Sequence, residues 1–383
     1  MLIKTGIKEK IKVFLARFAK PCIVFESYPV FSDNTKPVYD ELVKRGYDKK
    51  YSFFWYIDND TFAIEKKGKL FYWKRDDYKN PRNMLRNLSV DKGVKAIILC
   101  NQFAMFKSIS KFETAIYLTH GTPFKYCANY YSIPKEIDYC IASSQNAAKL
   151  ISSNLNYDIK KIVILGQPRN DVFFEKRLNP HDYMKNKFKK LIIWYPTFRQ
   201  TKYGVKTNSK HDIPIIYDNL SANKLNDFLK RRDVLIIIKP HFAQDLSYIT
   251  SLNLSNIRFI DDKFYKENRI TSYHFISSCD AMLTDYSSVF SDYLLCDKPI
   301  GLIWEDIEDY RKNPGLHPDF EKYTNGAAKI YNIEDLKVFI DDIANGVDNL
   351  RFDRNKTKQI WNEYHDGKNT KRVTDFIIEK ASL

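Results

Sequence analysis

Two trains of short apolar segments, each segment followed by a polar, helix-forming stretch, limit what this chain can fold into. The first train reads Cys22 to Phe25, Tyr51 to Ile57, Lys69 to Trp73, Ala96 to Cys100, Ala115 to Leu118, Tyr139 to Ala142 and Ile162 to Leu165. The second starts afresh at Lys190 with Leu191 to Tyr195, Val234 to Ile238, Ile257 to Ile260, Ala281 to Thr284 and Ile300 to Ile303. Strands alternating with helices predict parallel, doubly wound α/β sheets that hold ligands at the strands' carboxyl ends. At 383 residues the chain exceeds one ordinary core and suits two domains of roughly 150 to 200 residues. The expected division is residues 21–185 and 186–360, with a last helix in 361–383 packing back on the first domain. Chemistry should sit just after the strands.

The most informative strand end is Ala281-Met282-Leu283-Thr284, followed by Asp285-Tyr286-Ser287-Ser288 and apolar residues at helical spacing, Val289, Phe290, Tyr293 and Leu294. A strand, a tight turn and a helix leave the first helical amides unpaired at the strand's carboxyl end, where they can hold a phosphate with the help of the Ser287 and Ser288 hydroxyls. The competing reading is that Ser287 simply caps its helix. Asp292, on the same helix, is either an acceptor for ribose hydroxyls or a solvated carboxylate.

In the first train, His120 ends a strand and Gly121 follows at once, which lets another molecule approach closely. A neutral imidazole there can take a proton from a substrate hydroxyl near pH 7, whereas the bland alternative is a buried ring donating to a carbonyl. Gly121, Pro123 and Lys125 together look like a loop shaped for an anion. Arg169, after the Gly166 turn, reads as a phosphate fork or as the surface partner of Asp171. In the second train, Arg199, Lys239 and His241 follow strands, so with Ser287 and Ser288 they form a candidate diphosphate site. Gln200 to Pro214 is polar and basic and reads as an exposed loop.

A net charge of +15 points to anionic partners: nucleic acid, acidic lipid or a phosphorylated small molecule. Nucleic acid is disfavoured because aromatics are not interleaved with the basic runs. Six scattered cysteines, with no C-x-x-C pair and none at zinc spacing from a histidine, read as reduced thiols rather than disulfides or a metal site. The apolar runs fall far short of the roughly 20 residues that a membrane span needs. Residues 1–20 set Leu2, Ile3, Ile7, Ile11, Phe14, Leu15 and Phe18 along one side of a helix rich in lysine. Such an amphipathic helix suits either an anionic membrane surface or its own domain.

His120-Gly121-Thr122-Pro123 with Lys125, Gly166-x-Pro168-Arg169-Asn170-Asp171, Pro196-Thr197-Phe198-Arg199, Lys239-Pro240-His241, and Thr284-Asp285-Tyr286-Ser287-Ser288 with Asp292 occur in this order. The series resembles the CDP-glycerol glycerophosphotransferase family of teichoic acid and capsule synthesis, and Glu26-Ser27 with Ser32-Asp33-Asn34 looks like its N-terminal motif. One departure is Phe242, where the family usually has proline. The resemblance implies a GT-B architecture of two facing Rossmann-like domains and peripheral attachment to the cytoplasmic membrane face through residues 1–20. It further implies transfer of glycerol phosphate from CDP-glycerol to a lipid-linked saccharide or growing polyol-phosphate glycan, with release of CMP. Thr197, Arg199, Lys239, Asp285, Ser287, Ser288 and Asp292 would hold the CDP donor. His120 and His241 would be catalytic, with Asn34, Gly121, Lys125 and Arg169 on the acceptor or phosphate side. No metal is required on this reading, and magnesium dependence stays open. CDP-ribitol as donor, or a GT-B nucleotide-sugar glycosyltransferase, are the alternatives.

Overall fold

The computed structural model describes residues 21–57, 71–74, 96–101, 112–126, 132–184, 186–197, 199–201, 204–205, 213–240, 252–313 and 315–383. The amphipathic segment 1–20 and His241 with Phe242 lie outside these residues. Seven parallel strands form the first sheet: β1 (Cys22–Glu26), β2 (Ser52–Ile57), β3 (Phe71–Lys74), β4 (Ala96–Cys100), β5 (Thr114–Tyr117), β6 (Tyr139–Ala142) and β7 (Ile162–Ile164). Their order is β3-β2-β1-β4-β5-β6-β7. The second sheet comprises β8 (Lys190–Trp194), β11 (Val234–Ile238), β12 (Ile257–Phe259), β13 (Ala281–Thr284), β14 (Ile300–Ile303) and β15 (Ala328–Ile330), ordered β12-β11-β8-β13-β14-β15. Every neighbouring pair in both sheets is parallel.

The near-continuous apolar runs of these strands follow from burial on both faces. In β1, Cys22 and Val24 pack into one core while Ile23 and Phe25 pack into another, as the two-residue period of a strand requires. The edge strand Ala328–Ile330 was not legible in the sequence, since three residues are too few for a periodic signal. The tract expected to be an exposed loop instead includes the antiparallel pair β9 (Gln200–Thr201) and β10 (Gly204–Val205). Its far end turns inward, where Ile213 and Ile215 join the second sheet's core.

Among the connections that tie the sheets together in the described residues, two stand out. Phe124, four residues past His120, leaves the first sheet and buries its ring in the core of the second, stacked on Phe320 at 4.4 Å and edge-on to Trp361 at 5.0 Å. Main-chain bonds extend the seam, with the His317 amide donating to the Phe124 carbonyl at 2.9 Å and Tyr126 to Gly315 at 3.2 Å. In the other direction, the C-terminal helix Asn369–Lys380 buries Val373 and Ile377 beside Phe25 of β1 and Val38 of the helix Thr35–Lys44. Asp171 caps that helix by accepting from the Asn369 and Thr370 amides at 2.8 and 2.7 Å.

Candidate active site

The carboxyl end of β5 is built to aim one side chain. Beyond Leu118, Thr119 adopts φ +57° and Gly121 φ +118°, so the chain turns sharply on either side of His120. A non-glycine residue in the left-handed region is strained and persists only where its surroundings hold it. Here Asn34 supplies the restraint. Its amide donates to the Leu118 and Thr119 carbonyls at 2.9 and 3.2 Å, and its oxygen accepts from the Arg169 amide at 3.1 Å. Asn34 is wholly buried and joins the loops after β1, β5 and β7. It therefore organises the site from inside, in place of the ligand contact expected of it.

His120 is the exposed end of this arrangement, with 55% of its side chain open, which removes the buried-histidine alternative. Its Nδ1 lies 2.5 Å from the Asp33 Oδ2. Burial pushes the Asp33 carboxyl up, but the Arg169 guanidinium and the His120 ring, with the Asn34 amide, outweigh it and hold the group well below the usual carboxylate range. An ionised Asp33 accepts a hydrogen bond from Nδ1–H, so a neutral ring carries its hydrogen there and presents Nε2 as the open acceptor. Asp33 lay in a polar turn recognisable after β1, but its pairing with His120 was not legible, because β4 separates β1 from β5 in the sheet.

The serine turn meets Gly121, the residue that follows His120. A Cβ built on Gly121 would fall 2.5 Å from the Ser288 Oγ and 2.9 Å from the Arg169 Nη2. Ser288 has helical backbone angles and makes no side-chain cap, while the Val289 amide reaches the Ser287 Oγ only at 3.5 Å. Neither serine is engaged as a standard cap, and the half-buried Ser288 hydroxyl lies beside Gly121. The helix that follows is short, Val289–Tyr293 continued by one tight turn, and its macrodipole contributes correspondingly little.

Four expected donor contacts, Thr197, Arg199, Asp285 and Asp292, and the expected phosphate fork Arg169 are buried and engaged inside the protein. Arg199 is 0% exposed; its Nη1 pairs with Asp285, and Nε and Nη2 lie 2.9 and 3.0 Å from the two oxygens of Asp306. Asp285 also accepts from the amides of Thr197 and Tyr286 and from the Thr197 hydroxyl. Thr197, Arg199 and Asp285 thus clasp the ends of β8 and β13 together and shape the serine turn from within. Asp292 is neither solvated nor open to a ribose, being fully buried and accepting from Arg169, Tyr273 and Asn170. Arg169 pairs with Asp33 and Asp292, each at 2.7 Å, rather than with Asp171 or an anion. Lys239 sits at the carboxyl end of β11 with Nζ 3.0 Å from the Asp262 Oδ1, and Lys125 lies in the bridge to Leu316. Tyr273 gave no sequence signal, since it stands on the seven-residue helix Ser272–Ser278.

The family model described as CDP-Glycerol:Poly(glycerophosphate) glycerophosphotransferase matches residues 9–379. The chain belongs to this family. Among its glycerophosphotransferase relatives is the teichoic acid poly(glycerol phosphate) polymerase of Bacillus spizizenii, 26% identical over 332 residues that span 79% of each chain. The teichoic acid ribitol-phosphate primase of the same organism is 26% identical over 251 residues, covering 63% of this chain and 59% of the relative. In three dimensions the chain resembles the wall teichoic acid polymerase TagF, with a TM-score of 0.69, 22% identity, and coverage of 98% of this chain and 94% of that one. The fold is thus the two-domain α/β architecture anticipated from the motifs. Among the described residues no helix is long and apolar enough to cross a membrane, and no group of three or more His, Cys, Asp or Glu is disposed to hold a metal ion.

Proposed function

We propose that the chain transfers glycerol phosphate from CDP-glycerol to a hydroxyl of a lipid-linked or growing teichoic acid glycan. The observation that carries this reading is the half-open His120 ring, oriented by Asp33 and adjoining Gly121, which packs on Ser288. The His120 Nε2 takes the proton of the acceptor hydroxyl as its oxygen bonds to the distal phosphorus of the donor. The bond from that phosphorus to the bridging oxygen breaks, and CMP leaves with the electron pair. Phosphoryl transfer relies on positioning and on neutralising the non-bridging oxygens. With Arg169, Arg199 and Asp292 engaged inside the protein, donor contact falls to the Ser287 and Ser288 hydroxyls and neighbouring amides, with Lys239 and His241 as further candidates. Magnesium adds to this set if the donor brings it.

CDP-ribitol is the second reading, favoured by the ribitol-phosphate primase among the relatives. Residues 1–20 supply the anionic-membrane contact, on the strength of their apolar stripe and lysines. A capsule glycan is an alternative acceptor to a teichoic acid.

The test is incubation with CDP-glycerol or CDP-ribitol and a lipid-like disaccharide acceptor, with mass analysis of products. CMP and an acceptor heavier by one glycerol phosphate support the reading. Release of a nucleoside diphosphate from a nucleotide sugar instead would identify a glycosyltransferase.

A further inference from the structure

We infer that Arg169 is the positioning residue that sets the His120 ring relative to the serine turn, by bridging two buried carboxylates from opposite halves of the molecule. The inference rests on the transfer reading for its kinetic arm alone. The Arg169 Nη1 donates to the Asp33 Oδ1 at 2.7 Å and to the His120 carbonyl at 3.3 Å, so one nitrogen holds both the carboxylate that grips the ring and the backbone that carries it. Its Nη2 donates to the Asp292 Oδ2 at 2.7 Å, four residues past Ser288 on the helix that the serine turn begins. The Tyr273 ring lies 5.0 Å from the guanidinium carbon. Its hydroxyl, kept protonated because burial pushes the phenol well up, donates to the same Asp292 oxygen at 2.6 Å. Asn170 fills the other oxygen at 3.0 Å.

All three charged side chains are at least nine-tenths buried. A buried ion network is weak evidence of stabilisation, because desolvation offsets its attraction; register is the better-attested use. The planar fork reaches the two carboxylates with separate nitrogens held in one plane, a geometry that the single nitrogen of a lysine ammonium does not reproduce. Gly121 leaves the room, since a Cβ there would stand 2.9 Å from the Arg169 Nη2.

The deciding experiment observes the His120 ring nitrogens by long-range 1H–15N NMR in the full chain and in Arg169→Lys and Asp292→Asn. Asp292 has no contact with His120 in the chain of bonds above except through Arg169 and Asp33. The expected result is displacement of the His120 ring resonances in both variants, with those of His274 unmoved, together with a turnover roughly 30-fold or more lower and a donor KM within about threefold. Ring resonances unchanged in a folded Asp292→Asn protein would overturn the inference, and so would turnover within threefold of wild type. The conservative Asp292→Glu guards against loss of fold in the others: it retains the charge, and partial recovery of the resonances toward their wild-type positions is expected. If the wild type releases no CMP, the transfer reading fails while the NMR comparison still decides the bridge.

Discussion

Gly121 and Ser288 are in contact so close that position 121 has no room for a side chain: a Cβ there would lie 2.5 Å from the Ser288 Oγ and 2.8 Å from its Cβ. The φ of +118° at Gly121 independently disfavours any L side chain. Gly121→Ala should therefore lower the melting temperature by several degrees, as overpacking costing about 1–3 kcal/mol does, and reduce turnover at least tenfold. Adding Ser288→Gly should recover part of the stability, measured by thermal unfolding, since the steric component is relieved and the backbone component is not.

His120→Ala should cost about 10²- to 10⁴-fold in kcat, the usual worth of a general base, while CDP-glycerol binding by calorimetry stays within a few-fold of wild type. Lost donor affinity with turnover intact would assign His120 to binding instead.

Asp33 predicts an acid-dependent stability. Its folded-state carboxyl is depressed, so its contribution is fully present above the unfolded value of about 3.9 and is lost as pH falls below it toward the folded value. The stability difference between wild type and Asp33→Asn, followed by urea unfolding, should narrow as pH drops below about 4. A difference that widens on acidification would contradict an ionised, paired Asp33.

Arg199→Ala separates a structural role from a donor-binding one. It strands Asp285 and Asp306 in a site where Arg199 is wholly buried, and should cost about 3–5 kcal/mol of stability. An unchanged denaturation midpoint with weakened CDP-glycerol binding would return Arg199 to the donor site.

Removal of residues 1–20 should abolish sedimentation with anionic liposomes and leave transfer to a soluble acceptor analogue intact. Unchanged liposome binding would place the membrane contact elsewhere on the basic surface.

Both sheets were readable because their strands are buried on two faces, so apolar runs such as Val234 to Ile238 stand out against polar surroundings. His120, Gly121 and the serine turn were found for the same reason, since each directly follows such a run. The internal partners of Arg169, Arg199 and Asp292 were not found. A charged residue after a strand looks the same in sequence whether it faces a ligand or another carboxylate, and the choice depends on partners 86 to 136 positions away. Of the residues that organise the site from inside, Asn34 was marked by its motif but not by its role, and Tyr273 carries no periodic or motif signal that separates it from surface residues.

The aromatic seam at Phe124 bears on how the two halves move. Because this ring is packed between Phe320, on which it stacks, and Trp361, which it meets edge-on, the halves cannot swing apart there without wetting a large apolar side chain, a cost of about 1.5–3 kcal/mol for the ring alone. A hinge at that flank would be stiff. Relative motion of the two halves would then be concentrated away from that flank.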